Sequence, residues 1–247
     1  MRERLAAGGS PVALRSRDGA VGGFASQPAA RPVGVAASGP GPCRPRLANR
    51  DVRCIRANSH RADVLDAFLA ALPIDREFVL VAHSNAGAYV PALMMQRRIV
   101  AAVFVDAVLP PGSGRVPLAP PAFLDLLREK ADGSGLLPVW TSWWDEAEVA
   151  ALFPNAETRT RLEREQQRLP LSYFEGLLPV PEGWDDRPGA YLAFGDTYGR
   201  ERDEAERRRW PVSTLPAKHL HLLNNPDQVA TELVELMGKL GISALTR

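Results

Sequence analysis

At 247 residues the chain is long enough for one α/β domain with a sizeable core. Thirty Lys and Arg against 29 Asp and Glu leave a net charge of +1, so neither nucleic acid nor a membrane surface is an expected partner. No apolar run approaches the roughly 20 residues needed to span a bilayer, and the start Met1-Arg2-Glu3-Arg4 lacks the apolar stretch of a secretory signal. With only Cys43 and Cys54, neither a disulfide framework nor a zinc site is expected, and a cytoplasmic protein is the default.

Residues 1–58 form an irregular first part, rich in Gly, Pro, Ala, Ser and Arg, with Phe24 its only aromatic. Ten arginines face three acidic residues there, leaving the remainder with a surplus of six negative charges. Stretches such as GPGPCRPR (39–46) have too little apolar periodicity to bury a core, and the segment reads as poorly ordered. Pro11 to Leu14 and Pro32 to Val35 are short strand candidates within it.

Residues 59–247 read as the folded domain. Asp63 to Leu72 has helical apolar spacing, with Ser59 as cap and Pro73 as stop. Phe78 to Ala82 is a continuous apolar run, as expected of a buried parallel strand, and Ala86 to Arg97 is the next helix. Val100 to Asp106 is a second buried strand. A long helical region follows from Pro121 to about Leu178. Strands at Tyr191 to Phe194 and Val212 to Leu215 come next, and an amphipathic helix from Pro226 to Leu240 closes the pattern. Strands alternating with helices predict an α/β fold with a mostly parallel sheet flanked by helices.

The informative stretch is FVLVAHSNAGAYVPAL (78–93). A buried strand runs directly into a helix, and so sharp a turn needs small residues on either side of its centre. Ala82 and Ala86 occupy those places around Ser84. The turn lifts the Ser84 hydroxyl above the sheet, and the backbone N–H of Asn85 faces the place where an oxyanion forms. This resembles the nucleophile elbow of α/β-hydrolases, normally Gly-x-Ser-x-Gly, with alanine at both glycine positions here. His83 is read as the variable residue before the nucleophile and not as catalytic.

A second stretch, PAKHLHLLNNPDQVATELVELM (216–237), resembles the last strand–loop–helix of the same family. His219, seven residues before Pro226, is then the general base that Ser84 needs, because a serine hydroxyl is a poor nucleophile at its own pKa. His221 is read as structural. The family order places an acid between Ser and His. Asp196, just after the strand 191–194, is favoured, and Asp106, at the end of the strand after the elbow, is the alternative. Asp203 and Glu204 read as a solvated helix face.

More than eighty residues separate Asp106 from Tyr191, where the family inserts a helical cap, expected here at about 112–180. Trp140, Trp143 and Trp144 cluster in it, either walling an apolar acyl pocket or packing the cap onto the body. RIVAAVFVDAVLPPG (98–112) is similar to the plant-type methylesterase and hydroxynitrile-lyase branch.

The likeness spans about 60–247. It implies an early strand followed by a His-Gly motif, whose loop gives a second oxyanion N–H, yet the sequence holds no His-Gly pair. What the resemblance implies is a serine hydrolase acting on a small or medium carboxylic ester or thioester through an acyl-enzyme, with no metal or organic cofactor. The alternative is an inactive or weakly active hydrolase-fold protein that binds a small molecule.

Overall fold

The computed structural model describes residues 34–35 and 61–242. Apart from Gly34–Val35, the expectations for 1–58, the cap at Ser59 and the strand at Pro11 to Leu14 lie outside the described residues. Among the described residues no helix is long and apolar enough to cross a membrane.

A five-stranded sheet organises the fold. Its strands are β1 (Gly34–Val35), β2 (Phe78–Ser84), β3 (Ile99–Ala107), β6 (Gly189–Phe194) and β7 (Val212–Leu215), in spatial order β1-β2-β3-β6-β7. The pairs β2–β3, β3–β6 and β6–β7 are parallel. Strand β1 pairs antiparallel with the outer edge of β2, Gly34 opposite Leu80 and Val35 opposite Val79, so the candidate at Pro32 to Val35 supplies a short edge strand. All seven residues of β2 and all six of β6 are buried, which explains why these segments read as continuous apolar runs rather than alternating ones.

Helices cover both faces. Helix α1 (Arg61–Ala71) and helix α2 (Val90–Gln96) pack their Phe68 and Leu93 against Leu80, Ala102 and Phe104 on one face. Helix α9 (Pro226–Lys239) places Val229, Leu233 and Leu236 against Val81, Val103 and Leu192 on the other. Each buried aliphatic side chain of this kind contributes about 1.5–3 kcal/mol relative to exposure. Asn225 caps α9 by accepting from the Gln228 N–H at 3.2 Å, and Pro226 sits at the first helical position, where its missing N–H costs nothing.

The segment between β3 and β6 differs from the single helical region expected. It holds four short helices, α3 (Pro121–Lys130), α4 (Glu146–Ala150), α5 (Ala156–Glu165) and α6 (Leu171–Phe174), and an antiparallel ribbon of β4 (Gly114–Pro117) and β5 (Leu177–Val180). The helical run breaks after α3 at an Asp132-Gly133-Ser134-Gly135 turn, where the Asp132 carboxylate accepts from the Ser134 N–H and Gly135 takes φ 76°. The ribbon joins residues sixty or more positions apart, so no local pattern announces it.

Candidate active site

Strand β2 ends at Ser84, whose backbone takes φ 58° and ψ −132°. A non-glycine residue there stores about 1–3 kcal/mol of strain and persists only where its surroundings hold it. Two contacts hold it here. The Ser84 carbonyl accepts from the Val108 N–H at 3.1 Å, and the 3-10 turn Asn85–Tyr89 leads at once into α2. A Cβ on Gly87 would lie 2.0 Å from the Val108 carbonyl oxygen, so only glycine lets the turn approach β3 this closely. Asn85 opens the turn, where the first N–H groups lack helical partners. Its side-chain amide donates to the Leu118 carbonyl at 3.1 Å, tying the turn to the segment between β3 and β6, and its buried Oδ1 has no protein partner.

His219 lies in the loop between β7 and the short helix α8 (His221–Asn224). Its Nε2 is 3.0 Å from Ser84 Oγ and its Nδ1 is 2.6 Å from Asp106 Oδ2. All three side chains are buried. With Nδ1–H donating to the carboxylate, Nε2 is left as acceptor for the serine proton.

The carboxylate beside His219 is therefore Asp106, which corrects the preference for Asp196. Asp196 follows β6 as expected, but its side chain is 93% exposed and accepts from Arg202 at 3.1 Å. The register of β2 and β3 shows how Asp106 reaches the histidine. His83 pairs with Val105 and Ser84 with Ala107, so Asp106 has no partner in β2. This bulge, with φ 41° at Asp106, takes the side chain out of the alternation that sends Phe104 into one core and Val105 into the other. The Phe194 N–H donates to Asp106 Oδ1 at 3.1 Å. The Tyr191 hydroxyl donates to the Ala107 carbonyl at 2.6 Å and accepts from the Ala107 N–H at 2.9 Å. Together these bonds pin the bulge.

Two neighbours complete the site, His83, read from the sequence as a non-catalytic residue, and Tyr198, which the sequence reading did not single out. His83 is buried, stacks on His219 with ring centroids 4.5 Å apart, and donates from Nε2 to the His219 carbonyl at 3.0 Å. Burial, and then the proximity of His219, hold its pKa well below the ordinary value, against the opposing pull of that hydrogen bond, so His83 is neutral. Tyr198, at the start of α7 (Gly199–Arg207), places its hydroxyl 3.2 Å from Ser84 Oγ. It shares the turn Gly195 to Gly199 with Asp196, and an aromatic in that loop was the only signal available.

The remaining candidates have contacts of their own. His221 meets Gln228 Oε1 at 2.9 Å and packs edge-on against Phe194. Trp140 and Trp143 are buried in the main core, and Trp143 packs against Phe123 and Phe174 while Trp144 stacks on Phe123. Those partners belong to the segment between β3 and β6, so packing of that segment is the role these contacts support. Among the described residues no group of three or more His, Cys, Asp or Glu is disposed to hold a metal ion.

The profile of the Alpha/beta hydrolase family matches residues 12–232. The chain belongs to the alpha/beta hydrolase family. Solved structures agree with the fold. An extracellular alpha/beta-hydrolase from a Paenibacillus species, described as sharing structural and functional homology with tobacco Salicylic Acid Binding Protein 2, superposes with a TM-score of 0.58 at 15% identity, covering 74% of this chain and 81% of that one. A mutant polyneuridine aldehyde esterase gives 0.50 at 14% identity, covering 82% and 85%. A variant of tomato Methylketone Synthase I with bound beta-ketoheptanoate also gives 0.50 at 14%, covering 79% and 87%. No curated protein sequence is significantly similar to this alpha/beta hydrolase.

Proposed function

We propose that this alpha/beta hydrolase cleaves a small or medium carboxylic ester or thioester through an acyl-Ser84 intermediate. The observation that carries the reading is the unbroken chain from Ser84 Oγ to His219 Nε2 at 3.0 Å and from His219 Nδ1 to Asp106 Oδ2 at 2.6 Å. His219 takes the serine proton as Oγ attacks the acyl carbon, and returns it to the departing alcohol or thiol. The Asp106 carboxylate keeps the ring in the accepting tautomer, and the Asn85 N–H steadies the oxyanion. A water activated by His219 then releases the acid. The ester class is favoured by the fold neighbour named an esterase.

A second reading, binding without turnover, takes its support from the full enclosure of Ser84, which has 0% of its surface exposed. A fluorophosphonate probe separates the two. The hydrolase reading expects covalent labelling of the wild-type protein and none of Ser84→Ala. Labelling that persists in Ser84→Ala would sink it. Saturable binding of an ester that survives Ser84→Ala, with no turnover by either protein, would establish the binding reading instead.

A further inference from the structure

Ser84 Oγ has two side-chain partners, and acyl transfer through the triad uses only His219. The second is the Tyr198 hydroxyl at 3.2 Å. With His219 Nε2 accepting the serine proton, the phenolic O–H is free to donate to Oγ, a direction both distances allow. The ring is buried and lies 5.7 Å from the His219 ring, tilted by 35°. Its backbone is anchored as well, because the Tyr198 carbonyl accepts from the Arg202 N–H at 3.0 Å in the first turn of α7. The hydroxyl is thus held on a fixed element, as a donor aimed at developing charge must be.

We propose that Tyr198 is a catalytic hydrogen-bond donor to the negative charge that develops at Ser84, sharing the oxyanion with the Asn85 N–H. This rests on Ser84 being the nucleophile. As the proton passes from Oγ to His219, the phenol donates to Oγ. Once the Oγ–carbon bond has formed, the former carbonyl oxygen carries the charge two bonds from Oγ, and the phenol donates to it. No proton leaves Tyr198 in either step. Burial holds its phenol well above the ordinary value, with Asp106 and Glu201 adding to the effect against the opposing Ser84 hydrogen bond, so it remains a donor throughout. A tyrosine hydroxyl is an established kind of oxyanion donor.

The test compares wild type, Tyr198→Phe and Ser84→Ala on one aryl ester and on its thionoester, in which sulfur replaces the carbonyl oxygen and accepts hydrogen bonds poorly. Tyr198→Phe keeps the ring packing and removes only the donor. We expect kcat on the oxygen ester to fall about 10- to 100-fold with KM little changed, somewhat below the usual cost of losing a side-chain oxyanion donor. The oxo-to-thiono ratio of kcat/KM should fall about tenfold, by the same logic. Because both substrates are read on one preparation, the ratio is independent of how much of the variant is folded. An unchanged ratio, or a Tyr198→Phe enzyme as fast as wild type, overturns the proposal while leaving Ser84 as nucleophile. Retained turnover in Ser84→Ala overturns the hydrolase reading itself.

Discussion

Replacing Asp106 with asparagine changes one atom in a buried site, and the surrounding bonds dictate how the new side chain must sit. The Phe194 N–H donates to Oδ1 at 3.1 Å, and a backbone N–H pairs only with an acceptor. The new amide therefore keeps its oxygen toward Phe194 and turns its NH2 toward His219 Nδ1. That nitrogen must then accept, the ring proton moves to Nε2, and Nε2 can no longer take the proton of Ser84 3.0 Å away. In serine hydrolases, forcing this wrong tautomer while preserving the geometry costs roughly 10⁴ in kcat, or about 5.4 kcal/mol of transition-state stabilisation. Asp196→Asn, by contrast, alters an exposed side chain whose partner is Arg202, and such a pair contributes little. Steady-state kinetics on a p-nitrophenyl ester, with circular dichroism to show both variants folded, should give a loss of about 10⁴ for Asp106→Asn. Asp196→Asn should stay within about threefold of wild type, as surface changes away from a site do. Comparable losses in the two variants, or an Asp106→Asn enzyme within about tenfold of wild type, would refute the wrong-tautomer account.

Two further predictions concern the scaffold around Ser84, His219 and Asp106. Gly87→Ala should lower stability by about 1–3 kcal/mol, since its methyl would sit 2.0 Å from the Val108 carbonyl oxygen, and urea titration with unchanged midpoints would contradict that reading of the turn. His83, neutral through burial, makes the fold sensitive to acid. Below the unperturbed value of about 6.5 the unfolded chain binds a proton that the native His83 refuses. Stability is therefore full above that pH and falls as pH drops toward the depressed native value, by up to about 1.4 kcal/mol per pH unit. His83→Gln keeps a donor for the His219 carbonyl and should flatten this slope between about pH 6.5 and 5. Parallel unfolding curves for the two proteins over that range would show that His83 does not couple folding to protonation.

The sequence by itself determined the parts whose cause is local. Buried parallel strands must be apolar along their whole length, so β2, β3 and β6 were legible in FVLVA, VAAVFVD and YLAF, within a few residues of their observed ends. A strand turning at once into a helix around a serine needs small neighbours, so Ser84 was legible from Ala82 and Ala86, and His219 from its spacing to Pro226 and α9. The choice of carboxylate was not local. It turned on one unpaired residue in β3, and a bulge leaves no mark on the hydrophobic pattern because it is defined by the register of two strands. The β4–β5 ribbon was hidden for the same reason, each half being four residues long and meaning nothing until paired with the other. Tyr198 and the packing of His83 on His219 were hidden too. What they do depends on the residues they meet, and those lie 114 and 136 positions away in the chain. Periodicity and turn chemistry thus located Ser84 and His219, while only the packing of β3 against β2 and β6 decided that Asp106 is the carboxylate that meets the histidine.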